Sequence, residues 1–472
     1  MTEIPFRGAL EIAAAIRDKR LSATEYLEYV FNRIEQHDPA LNSVITLNAD
    51  AALTAAHEAD QAVSNGAVLG PLHGVPFGLK DIIDAANLPT TAHSRIYANN
   101  IPIEDAAVTT HLKHSGAILV AKLATHEFAF GGPSFDLPWP PARNPWDTRM
   151  FTGGSSSGSG AAIAAGFIPL ALGTDTGGSV RNPASLCGIV GMKATYGRVS
   201  RRGVVPLAFS LDHVGPMTRT VSDNAALLQV ISGYDPRDPA SAQVSVPDYL
   251  SAVKHGTTQG IKGMRIGVIR HFFEKDMVAD PKVVNAINAS LRVLADLGAV
   301  ITDVETRSLQ TFSNVNRIIL LSEAYAVHQY WLQSRPQDYA AMTREKLLPG
   351  AFIRAVDYVQ ALRNRPLFTA EIDTLLDNAD VLVTASSMDP PFPIDDPEAV
   401  ARCYPRSARP PFNLTGHPAL SLPIGFTEPD DDVPVLPLGL QVIGRHFDEA
   451  SIYRVASAYE QATNWSEVQP PL

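Results

Sequence analysis

Apolar positions in this chain recur at two periods, one of about three and a half residues and one expressed as short continuous runs. Ser22-Ala23-Thr24-Glu25 is a capping box, and Tyr26, Val30 and Ile34 follow it at helical spacing. Residues 49–63 predict a second, alanine-rich amphipathic helix, so residues 1–65 read as helical. Strands are then predicted over 75–79, 117–121 and 168–172, separated by helices over 106–115 and 158–165. The pattern restarts at Ile261, where MRIGVIR, a helix over 281–297 and a strand over 299–304 form one βαβ unit. Residues 308–378 are helix-rich and aromatic, carrying Phe312, Tyr325, Tyr330, Trp331, Tyr339, Phe352 and Tyr358. Further strands are predicted over 381–385, 419–424 and 438–443, and Asp448 caps a last helix ending near Thr463. Short apolar strands alternating with helices imply an α/β fold with a mixed or largely parallel sheet between helical layers.

Composition narrows the class. The 472 residues are 45% hydrophobic and 18% charged, enough for a large core, and no linker divides them, so one domain over 1–472 is expected. The loops at 389–396 and 428–435 are rich in Pro and Asp and are expected to be exposed. A net charge of −11 without a lysine or arginine block argues against nucleic acid or an anionic membrane as partner. The two cysteines, Cys187 and Cys403, make no disulfide framework, no leader pattern opens the chain, and no apolar run reaches a membrane span. A cytoplasmic protein is expected.

The chemistry concentrates in GGSSSGSGAAIAAGFIPLALGTDTGGSVRNPA (153–184) and in LHGVPFGLKD (72–81). Cleaving an amide needs a deprotonated hydroxyl, a stabilised oxyanion and a proton for the leaving amine. Ser179 ends a glycine-rich turn whose N–H groups, from Thr176, Gly177, Gly178 and Ser179, can face an oxyanion. Lys80 ends an apolar strand, where burial could hold it neutral as a base, with Ser155 passing the proton. Bland readings stand beside this one. A lysine followed by aspartate is usually a solvated ion pair, and Gly/Ser turns are usually only turns.

Other motifs are decoys. Gly154-Ser155-Ser156-Ser157-Gly158 satisfies GxSxG, yet the polar, proline-broken residues 143–152 offer no strand before it. Residues 158–163 begin like a dinucleotide fingerprint, but Ile163 stands where a small residue belongs. His111 and His114 lack a third ligand, and His126-Glu127 lacks the second histidine of HExxH. No metal and no nucleotide cofactor is expected.

Lys80, Ser155 and Ser179 match, residue by residue, the Ser–cis-Ser–Lys pattern of the amidase signature family, which this chain resembles. CGIVGMKATYGRVSRRGVVPLAFSLDHVGPMTRTVSD (187–223), FNLTGHPALSLPIGF (412–426) and PLGLQVIGRHFDEASIYRVASAYEQAT (437–463) extend the likeness. It implies the family's fold, a mixed sheet between helices, with 66–225 as signature core and 308–378 beside the substrate pocket. It implies Ser179 as acylated nucleophile, Ser155 after a cis peptide as relay, Ser156 hydrogen-bonded to the lysine, and an oxyanion hole in the turn ending at Ser179. Asp175 and Arg181 are expected to pair and fix that turn, and Phe130, Gly131 and Gly132 to line the acyl pocket. Ser157, Gly160, His93 and His213 depart from usual family residues without touching the triad. The reaction expected is hydrolysis of an apolar aryl or aliphatic amide, with ester or carbamate as further substrates, by a small-molecule enzyme, a homodimer by family analogy. The alternative is the glutaminase (A) subunit of a tRNA-dependent amidotransferase, which 127–146 also resembles. The proline- and aromatic-rich stretch 132–141 is what favours an apolar substrate over glutamine.

Overall fold

The computed structural model describes residues 6–428 and 435–472. The first five residues and most of the 428–435 loop, predicted to be exposed, lie outside the described residues. Among the described residues thirteen strands are present: β1 Val44–Leu47, β2 Pro76–Lys80, β3 Ile118–Leu123, β4 Arg143–Asn144, β5 Asp147–Phe151, β6 Leu170–Asp175, β7 Val190–Lys193, β8 His213–Thr218, β9 Arg265–Val268, β10 Val300–Asp303, β11 Val381–Ala385, β12 Ala419–Phe426 and β13 Pro437–Ile443.

Eleven of them join in one sheet, in the order β1-β3-β2-β6-β8-β7-β12-β13-β11-β9-β10. The sheet is mixed. β3, β2 and β6 run parallel, as do β11, β9 and β10, and antiparallel pairs link the two blocks through β8, β7, β12 and β13. Strands of the signature core and of the C-terminal part thus share one ladder, with helices packed on both sides as the α/β pattern requires. β2, β3, β6, β7 and β8 are buried along their whole length, so they read as continuous apolar runs, not as alternation.

The predicted elements recur with ends shifted by a few residues. Ser22 closes its capping box with Glu25, and Asp448 caps the last helix, its side chain accepting from Ser451 N–H. The differences lie where periodicity is short. β1 interrupts the helical N-terminal part, between helices Ala23–Leu41 and Ala49–Ser64. The β4–β5 hairpin occupies the polar, proline-broken stretch before Gly153, and neither β7, with four residues, nor β8, which carries His213, Gly215 and Pro216, shows a continuous apolar run.

Two short helices place the chemistry. Helix Ser157–Ala164 is buried on every side, which its run of Ser, Gly and Ala permits, and helix Arg181–Cys187 is equally buried. Both begin directly after a glycine-rich turn, so each turn is held against a packed helix.

Candidate active site

Lys80 is the last residue of β2 and is 0% exposed. Its Nζ donates to Ser155 Oγ at 2.7 Å and to Thr174 Oγ1 at 2.8 Å. No carboxylate touches it among the described residues. Burial pushes its pKa down to about 7, against smaller upward pulls from Asp175 and Asp212. The lysine therefore has a substantial neutral population at neutral pH.

The Gly154–Ser155 peptide is cis. Ser155 carbonyl oxygen accepts from His126 N–H at 3.0 Å, and Gly154 leaves room for the His126 ring, which a Cβ would strike. Ser156 does not reach Lys80, contrary to what the family resemblance implies. Its Oγ instead lies 3.2 Å from both the N and the O of Thr174, because the side chain turns towards β6 while Ser155 turns to β2. The second hydroxyl on Lys80 belongs to Thr174, in β6, which lies within the segment 153–184 but has no role in the sequence reading.

The turn that ends at Ser179 is built around Asp175, also 0% exposed. Its carboxylate accepts from the N–H groups of Gly178 (2.8 Å) and Val180 (3.2 Å) and pairs with Arg181 at 3.0 Å. Arg181 further donates to Asn413 Oδ1, Gln441 Oε1 and the Arg409 carbonyl, and Asn413 returns a bond to Asp175. Arg181 holds the Asp175 carboxyl far below the usual carboxylate range, against the opposing pull of burial. Gly178 has φ +125°, a conformation only glycine adopts freely. Because its N–H is already donated to Asp175, the expected oxyanion donors narrow from four to Thr176, Gly177 and Ser179. Ser179 is partly exposed, and its carbonyl accepts from Ser156 N–H at 3.3 Å, which brings the two turns together.

A cavity of about 250 Å³ adjoins the turn, walled by Thr174, Thr176, Val204, Leu207, Asp212 and His213. Thr176 Oγ1 donates to Asp212 at 2.6 Å. His213 points its Nδ1 at the Asp175 and Leu211 carbonyls, and burial keeps it neutral. His93 is buried with its Nε2 on the Trp139 carbonyl.

On the other side, Gly131 and Gly132 pack on helix Ala341–Leu347, where a Cβ would meet Thr343 or Met342. Lys346 on that helix donates to the Gly131 carbonyl at 2.7 Å and lies over the Tyr404 ring at 5.0 Å, and Tyr404 sits edge-on to His126. Phe130 is half-buried beside them. Of the aromatics in 132–141, Phe135 is exposed near Arg143 and Trp139 packs on His93. This loop therefore does not supply the apolar wall inferred from its composition. What borders the turn ending at Ser179 is mixed: Val204, Val205, Leu207 and Phe209 keep the cavity wall largely apolar, with Arg201 and Arg202 among them.

Arg409 completes that border. It is 3% exposed and donates through Nη1 to the Ser386 carbonyl and Ser387 Oγ, both at 2.7 Å. Its Nε has no hydrogen-bond partner, and the side chain fills the space a Cβ on Gly178 would occupy. Burial and the neighbouring Arg181 push its pKa down to about 9. No carboxylate pairs with Arg409 or Lys346 among the described residues. Nothing in the sequence marks Arg409, Lys346 or Tyr404, and His126 stands out only as half of an incomplete HExxH; the fold alone brings His126 against Gly154 and Arg409 against Gly178.

The chain is 38% identical over 500 residues, covering 100% of both proteins, to the A subunit of glutamyl-tRNA(Gln) amidotransferase from Chloroflexus aurantiacus. Among solved structures it resembles the peptide amidase of Stenotrophomonas maltophilia (TM-score 0.85, 29% identity, 98% of each chain). It also resembles the glutamyl-tRNA(Gln) amidotransferase A subunit of Thermotoga maritima (TM-score 0.76, 32% identity, 92% of this chain and 90% of that one). The full-length likeness to amidotransferase subunits overturns the expectation of a small-molecule enzyme with no tie to nucleic acid. Net charge describes only this chain's own surface, and an acidic subunit can serve a tRNA-directed reaction without itself presenting a basic face. No helix among the described residues is long and apolar enough to cross a membrane. A family model described as Amidase matches residues 25–453, and with the whole-length relatives it shows that this chain belongs to the amidase signature family.

Proposed function

We propose that the chain hydrolyses the carboxamide of a substrate whose acyl part carries a carboxylate, with glutamine as the first candidate and ammonia as the product passed on in amide transfer. The observation that carries this reading is Arg409, a buried guanidinium with an unpartnered Nε beside the turn that ends at Ser179. An anionic ligand group is the partner with the most to gain at such a donor. The relatives named as glutamyl-tRNA(Gln) amidotransferase A subunits support the same reading. They favour it over the apolar amide expected from composition.

In the reaction proposed, neutral Lys80 offers its lone pair to the Ser155 O–H, and Ser155 in turn accepts the Ser179 proton as Ser179 Oγ attacks the amide carbon. The N–H groups of Thr176, Gly177 and Ser179 receive the oxyanion. The tetrahedral adduct collapses as the relay delivers the proton to the leaving nitrogen, so ammonia departs and an ester to Ser179 remains. Water, deprotonated by the same relay, then releases the carboxylic acid and restores Ser179. Asp175 and Arg181 keep the turn in shape and take no proton.

A stand-alone amidase is the second reading, favoured by the higher TM-score to the peptide amidase than to the solved amidotransferase subunit. Ammonia release by the purified chain from glutamine and from hexanamide, a neutral amide, separates the two. In Arg409→Gln and the milder Arg409→Lys, KM for glutamine is expected to rise about 10- to 100-fold, the value of one charge-assisted hydrogen bond, with hexanamide unchanged. Equal kcat/KM for both amides, unmoved by either variant, would remove the carboxylate from the reading and leave the stand-alone amidase.

A further inference from the structure

A second cluster of reactive side chains lies apart from the two turns. Asp373 stands near the end of helix Ala355–Asn378, His417 just before β12 and His446 just after β13. His417 Nε2 is 2.9 Å and His446 Nδ1 3.5 Å from the same oxygen, Asp373 Oδ1, and the three atoms lie within 4.8 Å of one another. The His417 side chain is buried, whereas those of His446 and Asp373 are 30% and 49% exposed, so water reaches the group.

The hydrogen bonds on the far side of each ring fix what the near side can do. His446 Nε2 lies 3.0 Å from the Thr415 carbonyl, which can only accept, so Nε2 carries a proton. In the neutral ring Nδ1 is then a bare lone pair facing a carboxylate oxygen, two acceptors opposed with no donor between them. His417 Nδ1 lies 2.8 Å from Thr415 Oγ1, a hydroxyl able to donate or accept, which leaves Nε2 free to serve as a donor or as a ligand. The ring centroids are 3.9 Å apart with the planes tilted by 37°, so the two imidazoles lie nearly stacked beside the carboxylate.

A cation is what these three atoms have room for. Ligands at about 2.0–2.1 Å around a tetrahedral zinc stand roughly 3.3 Å apart, and the two separations from Asp373 Oδ1 bracket that figure. Thr415 holds the outer nitrogen of both rings, the arrangement that orients histidine ligands at metal sites. Two imidazole nitrogens with one carboxylate suit Zn²⁺, Co²⁺ or Ni²⁺ better than the oxygen-seeking Mg²⁺ or Ca²⁺.

We propose that Asp373, His417 and His446 form a site for a divalent ion of the zinc class, with solvent as the fourth ligand. It would clasp the end of the long helix to the two loops that flank β12 and β13. On binding, the proton on His417 Nε2 moves by way of solvent to Nδ1, where Thr415 Oγ1 accepts it, and His446 needs no change of tautomer. The residues come from three separate segments, which is why no histidine spacing along the chain announces a metal.

The test uses the full chain, stripped with a chelator and titrated with Zn²⁺ against a chromophoric competitor, then with Co²⁺ read by its visible absorption. One equivalent is expected, with the intense bands of tetrahedral cobalt. Zn²⁺ held at about 100 times its Kd should raise the folded-to-unfolded ratio about 100-fold. Asp373→Asn, which keeps an oxygen for His417 to donate to, and His446→Gln should each weaken binding at least about tenfold. Undiminished binding by either variant would overturn the proposal. So would a wild-type chain that takes up no equivalent and shows His446 protonated at neutral pH by NMR, since a plain ion pair with Asp373 would then fill the gap.

Discussion

Lys80 and Lys122 stand on paired parallel strands, both 0% exposed, yet their surroundings differ in kind. Lys122 meets a carboxylate, Asp81, at 2.9 Å, and donates as well to Thr90 Oγ1 and the Pro89 carbonyl. Lys80 meets only the hydroxyls of Ser155 and Thr174. The Lys-Asp pair in the sequence suggests an ion pair between Lys80 and Asp81, but neighbours along an extended chain face opposite ways. Asp81 therefore serves the lysine of the next strand, and Lys80 is left to be tuned by burial. A buried ion pair is a fastening. A buried lysine among hydroxyls has no counter-charge to keep it protonated.

Substitution should separate the two roles. Lys80→Met and Ser179→Ala are each expected to lower kcat by about 10⁴-fold or more, and the double variant no further, because groups acting as one unit are not additive. Burst and steady-state ammonia release would show it, and residual turnover of a few per cent in either would break the assignment. Folding should be spared in Lys80→Met. The unfolded chain holds the Lys80 proton up to about its ordinary pKa of 10.5, whereas the folded chain releases it near 7. Wild-type stability should thus rise with pH between those values through this group, and the variant should lack that slope. Lys122→Met should do the reverse. It leaves Asp81 buried without its counter-charge, a loss of about 3–5 kcal/mol by denaturant unfolding, with activity per folded molecule retained.

The pH profile sharpens the contrast next. In the proposed reaction only neutral Lys80 accepts the relay proton, so kcat/KM should fall tenfold per unit below about pH 7, to about one hundredth at pH 5. A rate flat from pH 8 to pH 4 would deny the lysine its part.

Much of this site is legible in the sequence because its chemistry is local. Lys80, Ser155 and Ser179 sit in two short segments whose glycines, serines and flanking apolar strands can be read directly, and the α/β layering follows from the same runs. Thr174 lies in the second of those segments, but only the register of β6 beside β2 puts its hydroxyl on Lys80. Arg409 lies far along the chain from the turn it borders, as do Lys346 from the Gly131 carbonyl and Tyr404 from the His126 ring that they meet, and no periodicity reports such a contact. The β4–β5 hairpin is illegible for another reason. Its two strands are held by a short local ladder, by the Asn144 side chain bonding the Phe151 and Leu186 carbonyls, and by Met150 and Phe151 packing on residues far along the chain, so too few of its own positions repeat for a period to show.

Thr174→Val gives the smallest effect and the finest distinction. Valine matches threonine in shape, so packing against Ser156 and β8 should survive while Lys80 loses one of its two hydroxyl partners. A hydrogen bond accepted from the lysine favours its charged form, and removing it should lower the Lys80 pKa further. The acid limb of kcat/KM should therefore move to lower pH. Meanwhile the plateau kcat should fall about tenfold, because the amine is steered to Ser155 by one contact fewer. Thr174→Ser should restore both. If Thr174 only fills space, the valine variant would change stability slightly and leave limb and plateau where they were. Lys80 would then be held by burial and Ser155 alone, and the difference from Lys122 would rest on the missing carboxylate without help from the second hydroxyl.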